Sequence, residues 1–121
     1  MADDFSSPVF TQTTERGGRS FVLVEPYRYG NVRAPVGFAW DGASVPRTLW
    51  TLGGLSPGQY LGASCIHDYC YARADDDLAT RKEADQYYYE LLLRDGARRV
   101  QAYLAWCCVR SFGWLLWRQR L

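Results

Sequence analysis

The alternation of apolar and polar positions changes character near the middle of the chain. Up to about residue 55, apolar residues come in short runs rich in β-branched and aromatic side chains, separated by Gly, Pro and Ser. Beyond that point they recur at three- and four-residue spacing. "SFVLVEPYRYG", ending at Gly30, predicts a strand. "PVFTQT" predicts a weaker one before it, with "ERGGR" as the turn between them. "VRAPVGFAW" predicts a third, which Pro35 forces to an edge or a bend. Together they predict a small antiparallel sheet. "DGASVPRTLWTLGGLSPGQ" reads as a long loop with a helical turn near residues 46 to 49, and loops of that length in a small domain are often functional.

Three helices should follow. Ser56 suits an N-cap and Pro57 the first helical position, which predicts a helix over about 57 to 73. "TRKE" is a capping box, with Thr80 capping and Glu83 reaching back. Ala84, Tyr87, Tyr88, Leu91 and Leu92 then share one face, and Asp95 with Gly96 ends the second helix. A third helix is expected over about 97 to 117. The fold class is therefore α+β: one domain over 1–121, with sheet and loop in 1–55 and the helical part in 56–121.

A chain of 121 residues can bury a core without staples, and five Trp, nine Tyr and five Phe argue against disorder. Net charge is only +1, from 14 basic and 13 acidic residues, so no strong field draws in nucleic acid or an anionic membrane. The strands also lack the interleaved basic residues that an RNA-stacking surface needs. Charge is nonetheless segregated: "ADDDLATRKEAD" is acidic and mixed, while "RDGARR" and "RQRL" are basic, and both kinds read as solvated surface. "MADDFSSPVF" has acidic residues where a secretory signal has basic ones, and no apolar segment. The expectation is a protein that begins life in a cytoplasm, where Cys65, Cys70, Cys107 and Cys108 stay reduced. Cys65 and Cys70 would lie about 140° apart on a helix and point apart, and Cys107 with Cys108 suits small apolar packing.

"VQAYLAWCCVRSFGWLLW" is long and apolar, but Gln101, Arg110 and Ser111 interrupt it, whereas a membrane span needs roughly 20 consecutive apolar residues. Core or interface packing is the plain reading. A peripheral membrane contact through residues 100–120 is the sharper one, with Trp106, Trp114, Trp117, Arg118 and Arg120 as interfacial anchors.

The chemistry concentrates in "GASCIHDYCYAR", which holds the single histidine, His67. Neighbours on a helix sit about 100° apart, so Asp68 is not a dyad partner for His67. The candidates are Asp85 on the second helix and Asp41 in the loop; antiparallel helices would bring Asp85 to the middle of the first. A histidine held by a carboxylate has a fixed tautomer and raised basicity, which suits a general base. Asp68, with Asp41 and loop carbonyls, would suit a hard cation, Ca2+ or Mg2+. Against both stands a structural role, a buried histidine satisfied by an aspartate between two helices. Zinc fits poorly, because Cys65 lies about 160° from His67 and leaves only His67 and Cys70 to meet one ion. Ser44 is the only plausible hydroxyl nucleophile near the motif, but it is not on the strand-to-helix elbow that such a nucleophile needs. Tyr69, Tyr71, Tyr87, Tyr88 and Tyr89 read as core and rim between the helices.

"PVGFAWDGASVPRTLW", taken with "IHDYCY" and "EAD", resembles the DUF1353 family of small phage and prophage proteins. The positions that carry the resemblance are Gly37-Phe38, Asp41 to Pro46, His67 to Tyr69 and Ala84-Asp85, within roughly residues 20 to 115. The resemblance implies a phage or prophage origin and supplies no activity; with such an origin the expected location is the host cytoplasm on synthesis, with the virion as a further expectation. "HDYCY" separately resembles the His-Asp-x-Cys-Tyr helix motif of secreted phospholipase A2. There the histidine activates a water, the aspartate holds calcium and an upstream glycine-rich loop supplies carbonyls; "LGGLSPG" lies upstream here. That family's dense disulfide framework has no counterpart in four cysteines. Two functions follow. The leading expectation is a virion- or tail-associated accessory protein that binds phage structural proteins or itself. The alternative is a small hydrolase of lipid or cell-wall bonds, using His67 with Asp85 or Asp41 and a cation at Asp68.

Overall fold

The computed structural model describes residues 8–13, 20–40, 60–72 and 80–118. Five short strands, β1 (Phe10–Thr13), β2 (Ser20–Leu23), β3 (Tyr27–Tyr29), β4 (Val32–Ala34) and β5 (Ala39–Trp40), precede three helices, α1 (Leu61–Ala72), α2 (Arg81–Arg94) and α3 (Arg99–Arg118). This is the α+β arrangement expected, with strands in the first half and helices in the second.

The strands form two small antiparallel sheets, β1-β2-β5 and the hairpin β3-β4. The run "SFVLVEPYRYG" is thus two strands in different sheets. Pro26 lies at the break; it has no N–H to offer a ladder, and the chain turns there from β2 into β3. The bend expected at Pro35 is present, separating β4 from β5, and Phe38 N–H donates to the Pro35 carbonyl at 3.2 Å. Gly30 opens the two-residue β3-β4 turn at φ +58°, where a Cβ would also lie 2.9 Å from the ring of Tyr87.

α1 begins at Leu61, later than expected, because Tyr60 has a left-handed backbone (φ +52°) through which a right-handed helix does not run. Ser56, Pro57, the "ERGGR" turn and the long loop with Asp41 and Ser44 lie outside the described residues. The capping box of α2 is formed: Glu83 N–H donates to Thr80 Oγ1 at 3.1 Å, and Thr80 N–H to Glu83 Oε1 at 2.8 Å. α2 ends at Asp95, as expected. Before α3, Gln101 Oε1 accepts from Arg98 N–H at 3.0 Å, which satisfies one of the donors a helix start leaves open.

α1 packs along α2, and α2 along α3, with β3, β4 and β5 against α1. The core joins Phe21, Leu23, Tyr27 and Val32 of the strands to Ile66 and Tyr71 of α1 and to Tyr88, Leu91 and Leu92 of α2. Polar bonds tie sheet to helix as well. Trp40 Nε1 donates to Ser64 Oγ at 3.0 Å, Tyr29 OH to Glu90 Oε1 at 2.9 Å, and Arg94 to Tyr27 OH at 2.9 Å. Among the described residues no helix is long and apolar enough to cross a membrane.

Candidate His-Asp site

Helical spacing places His67 and Tyr71, four residues apart on α1, on the face that meets α2. Asp85 lies one turn into α2, on the buried face with Ala84, Tyr88, Leu91 and Leu92. The three side chains meet. Asp85 Oδ1 is 2.7 Å from His67 Nε2 and accepts from Tyr71 OH at 2.7 Å. Its other oxygen, Oδ2, accepts from Arg110 of α3 at 2.9 Å and from Arg81, one turn earlier on α2, at 3.5 Å. Arg81 also donates to the Val109 and Arg110 carbonyls, which fixes α3 against the start of α2. One fully buried carboxylate therefore takes donors from all three helices.

His67 is packed as tightly as it is bonded. Its ring lies between Tyr71 and Tyr88, with centroids 4.4 and 4.7 Å away, and the residue is 4% exposed. α3 comes close enough for this because Gly113 faces the Tyr71 hydroxyl; a Cβ there would collide with the phenol oxygen.

The electrostatics decide the tautomer. Burial alone would raise the Asp85 pKa, but His67, Tyr71 and Arg110 outweigh it and hold the carboxyl below its ordinary value. Asp85 is thus ionised and only accepts, so His67 Nε2 carries the proton of that bond. In neutral His67 the second nitrogen, Nδ1, is then a bare lone pair. It is buried without a hydrogen-bond partner among the described residues, and the Asp68 carboxylate lies 3.9 Å away, beyond hydrogen-bond range. Burial opposes a charge on the ring, yet Asp68 and Asp85 prevail and the His67 pKa is raised above its ordinary 6.5.

Of the residues singled out in the sequence, the structure joins His67 to Asp85 and sets Asp68 beside the free nitrogen. Asp41, the other candidate for base or cation, lies outside the described residues. Arg81, Arg110 and Tyr71 were not foreseen as Asp85 partners. The i, i+4 spacing of Arg81 and Asp85 on α2 is a signal that could have found one of them. Cys65 and Cys70 are buried free thiols, and burial above all pushes both pKa values up, Cys70 to about 12, which makes them poor nucleophiles. Among the described residues no group of three or more His, Cys, Asp or Glu could hold a metal ion.

An α+β domain with a histidine-carboxylate site enclosed by three helices is the class these features define. A family model described as "Protein of unknown function (DUF1353)" matches residues 21–109, and the chain belongs to that family. It is also similar to an uncharacterized protein, y4jT, of Sinorhizobium fredii, at 34% identity over 81 residues, or 65% of this chain. The match spans 23% of that relative's length. No solved structure matches the chain.

Proposed function

We propose that the protein is a small hydrolase in which His67 Nδ1 is the general base and Asp85 holds the ring. The observation that carries this reading is that Nδ1 is buried without a hydrogen-bond partner among the described residues. A buried polar atom without a partner costs about 1–3 kcal/mol, and a histidine kept only to tie helices has no use for it. Asp85 fixes the tautomer that leaves this lone pair available, and the two nearby carboxylates favour the imidazolium that forms. The side chain of Asp68, 27% exposed, lies 3.9 Å from Nδ1.

In the reaction, Nδ1 takes a proton from water as the water oxygen bonds to a carbonyl carbon. The bond to the leaving group then breaks, and Nδ1 returns the proton to the departing atom. Tyr71 and Arg110 keep Asp85 ionised and in place through the cycle. The motif points to the ester bonds of lipids as the first class to try and to cell-wall bonds as the second. Asp68 alone is far short of the six to eight oxygens that calcium takes, so a cation there would need Asp41 and loop carbonyls as well, and no step is assigned to it.

A second reading has its own observation. Asp85 is saturated by donors from three helices, as a purely structural knot would be. On that reading the chain is a phage or prophage accessory protein that acts by binding in the particle. His67→Phe separates the two. The ring stays between its tyrosines, Asp85 Oδ1 keeps Tyr71, and the orphaned nitrogen is gone. The hydrolase reading expects turnover of phosphatidylglycerol vesicles or purified peptidoglycan by wild type, assayed with and without Ca2+ and Mg2+. It expects that turnover to vanish in His67→Phe, with unfolding stability within about 1 kcal/mol of wild type. No turnover by wild type, together with a loss of several kcal/mol in the variant, would favour the structural knot.

A further inference from the structure

α3 is apolar on two opposite faces. Ala102, Ala105, Val109 and Gly113 are buried against the rest of the fold. On the far side, Val100, Tyr103 and Leu104 stand at helical spacing and are 60%, 55% and 39% exposed, with half-buried Cys107 continuing the stripe. Tyr103 also stacks on Trp106, with ring centroids 6.1 Å apart. A helix of a finished small domain needs only one apolar stripe, so the second awaits something.

Charge says what kind of partner. Residues 96–121 contain five arginines, Arg98, Arg99, Arg110, Arg118 and Arg120, and no Asp, Glu or Lys. That stretch carries +5 in a chain of net charge +1, so the first 95 residues carry −4. Only Arg110 is committed to Asp85 among the described arginines here, while Arg98 and Arg99 are exposed at the start of the stripe. A second copy of α3 would bring like charges together. A nucleic acid would meet the charge but has no use for valine and leucine. Exposed aliphatic residues, an aromatic pair and an arginine-only charge set match an anionic bilayer surface, where apolar groups sink to the acyl boundary and arginines meet the headgroups.

We infer that the outer face of α3, through Val100, Tyr103 and Leu104 flanked by Arg98 and Arg99, docks the protein onto anionic lipid bilayers. The inference does not depend on the base at His67. Flotation of the full chain with vesicles tests it, using equal parts phosphatidylglycerol and phosphatidylcholine against phosphatidylcholine alone. The protein should float with the mixed vesicles at least tenfold better, and high salt should weaken the difference. Arg98→Glu with Arg99→Glu should weaken binding by about 25-fold or more, roughly fivefold for each arginine removed. Leu104→Glu should abolish it, with helical content and melting unchanged because all these side chains are exposed. Equal flotation with both vesicles, or binding that survives Leu104→Glu, would overturn the inference. So would a wild-type dimer on size-exclusion chromatography that Leu104→Glu dissociates, since the face would then belong to a protein partner.

Discussion

Asp85 Oδ1 and His67 Nε2 lie 2.7 Å apart across the α1-α2 interface, and both side chains are buried. That bond sets the tautomer of the only histidine in the chain and leaves its other nitrogen without a hydrogen-bond partner among the described residues. The same carboxylate pairs with two arginines, so a catalytic reading and a structural one share a single residue.

Asp85→Asn should therefore be costly. The variant keeps one oxygen acceptor but loses the charge that balances Arg81 and Arg110, and it presents an NH2 group to donors. Breaking a buried ion pair from one side costs about 3–5 kcal/mol, and the partial exposure of both arginines places this case near the lower end. Urea unfolding of variant and wild type measures it; a loss under about 1 kcal/mol would mean that the three helices do not depend on this tie.

Stability should fall on both sides of a weakly acidic optimum. His67 holds its proton more tightly in the folded chain than at its ordinary 6.5. Its contribution is complete below about pH 6.5 and is lost as pH rises through the higher folded value. Asp85 is held below its ordinary 3.8, so its contribution is complete above that value and is lost as pH falls through the lower folded one. Melting temperature should thus decline between pH 6 and pH 8.5 in wild type, and the decline should be absent in His67→Phe. A melting temperature that rises over that range would show the imidazole to be held neutral.

Gly113→Ala tests the approach of α3. The added methyl meets the Tyr71 hydroxyl, so either α3 shifts or the Tyr71-Asp85 bond breaks. Overpacking of this kind costs about 1–3 kcal/mol. Thermal melting reads it, and an unchanged melting temperature would mean that α3 does not press on the site.

The helices were more legible than the strands for a physical reason. "TRKE" and Asp95-Gly96 are local signals whose chemistry is complete within a few residues, and the structure forms α2 between them. Pro26 is a local signal too, but the apolar run on both sides of it outweighs it in a pattern reading; only the pairing partners show that β2 and β3 belong to different sheets. Likewise, helical spacing with antiparallel packing was enough to nominate Asp85 for His67. Arg110 reaches Asp85 from 25 residues away, and Tyr71 reads equally well as core. Nothing short of the three-helix packing reveals that they share one carboxylate.

The central claim is that Asp85 leaves His67 Nδ1 as a base. Because the chain has one histidine, long-range 15N–1H correlation spectroscopy of labelled protein across a pH series reports on that ring alone. The expected result is a pKa above 6.5 and, on the alkaline side, a neutral ring with its proton on Nε2 and Nδ1 unprotonated. A neutral ring with its proton on Nδ1, or one that stays neutral well below pH 6.5, would contradict it.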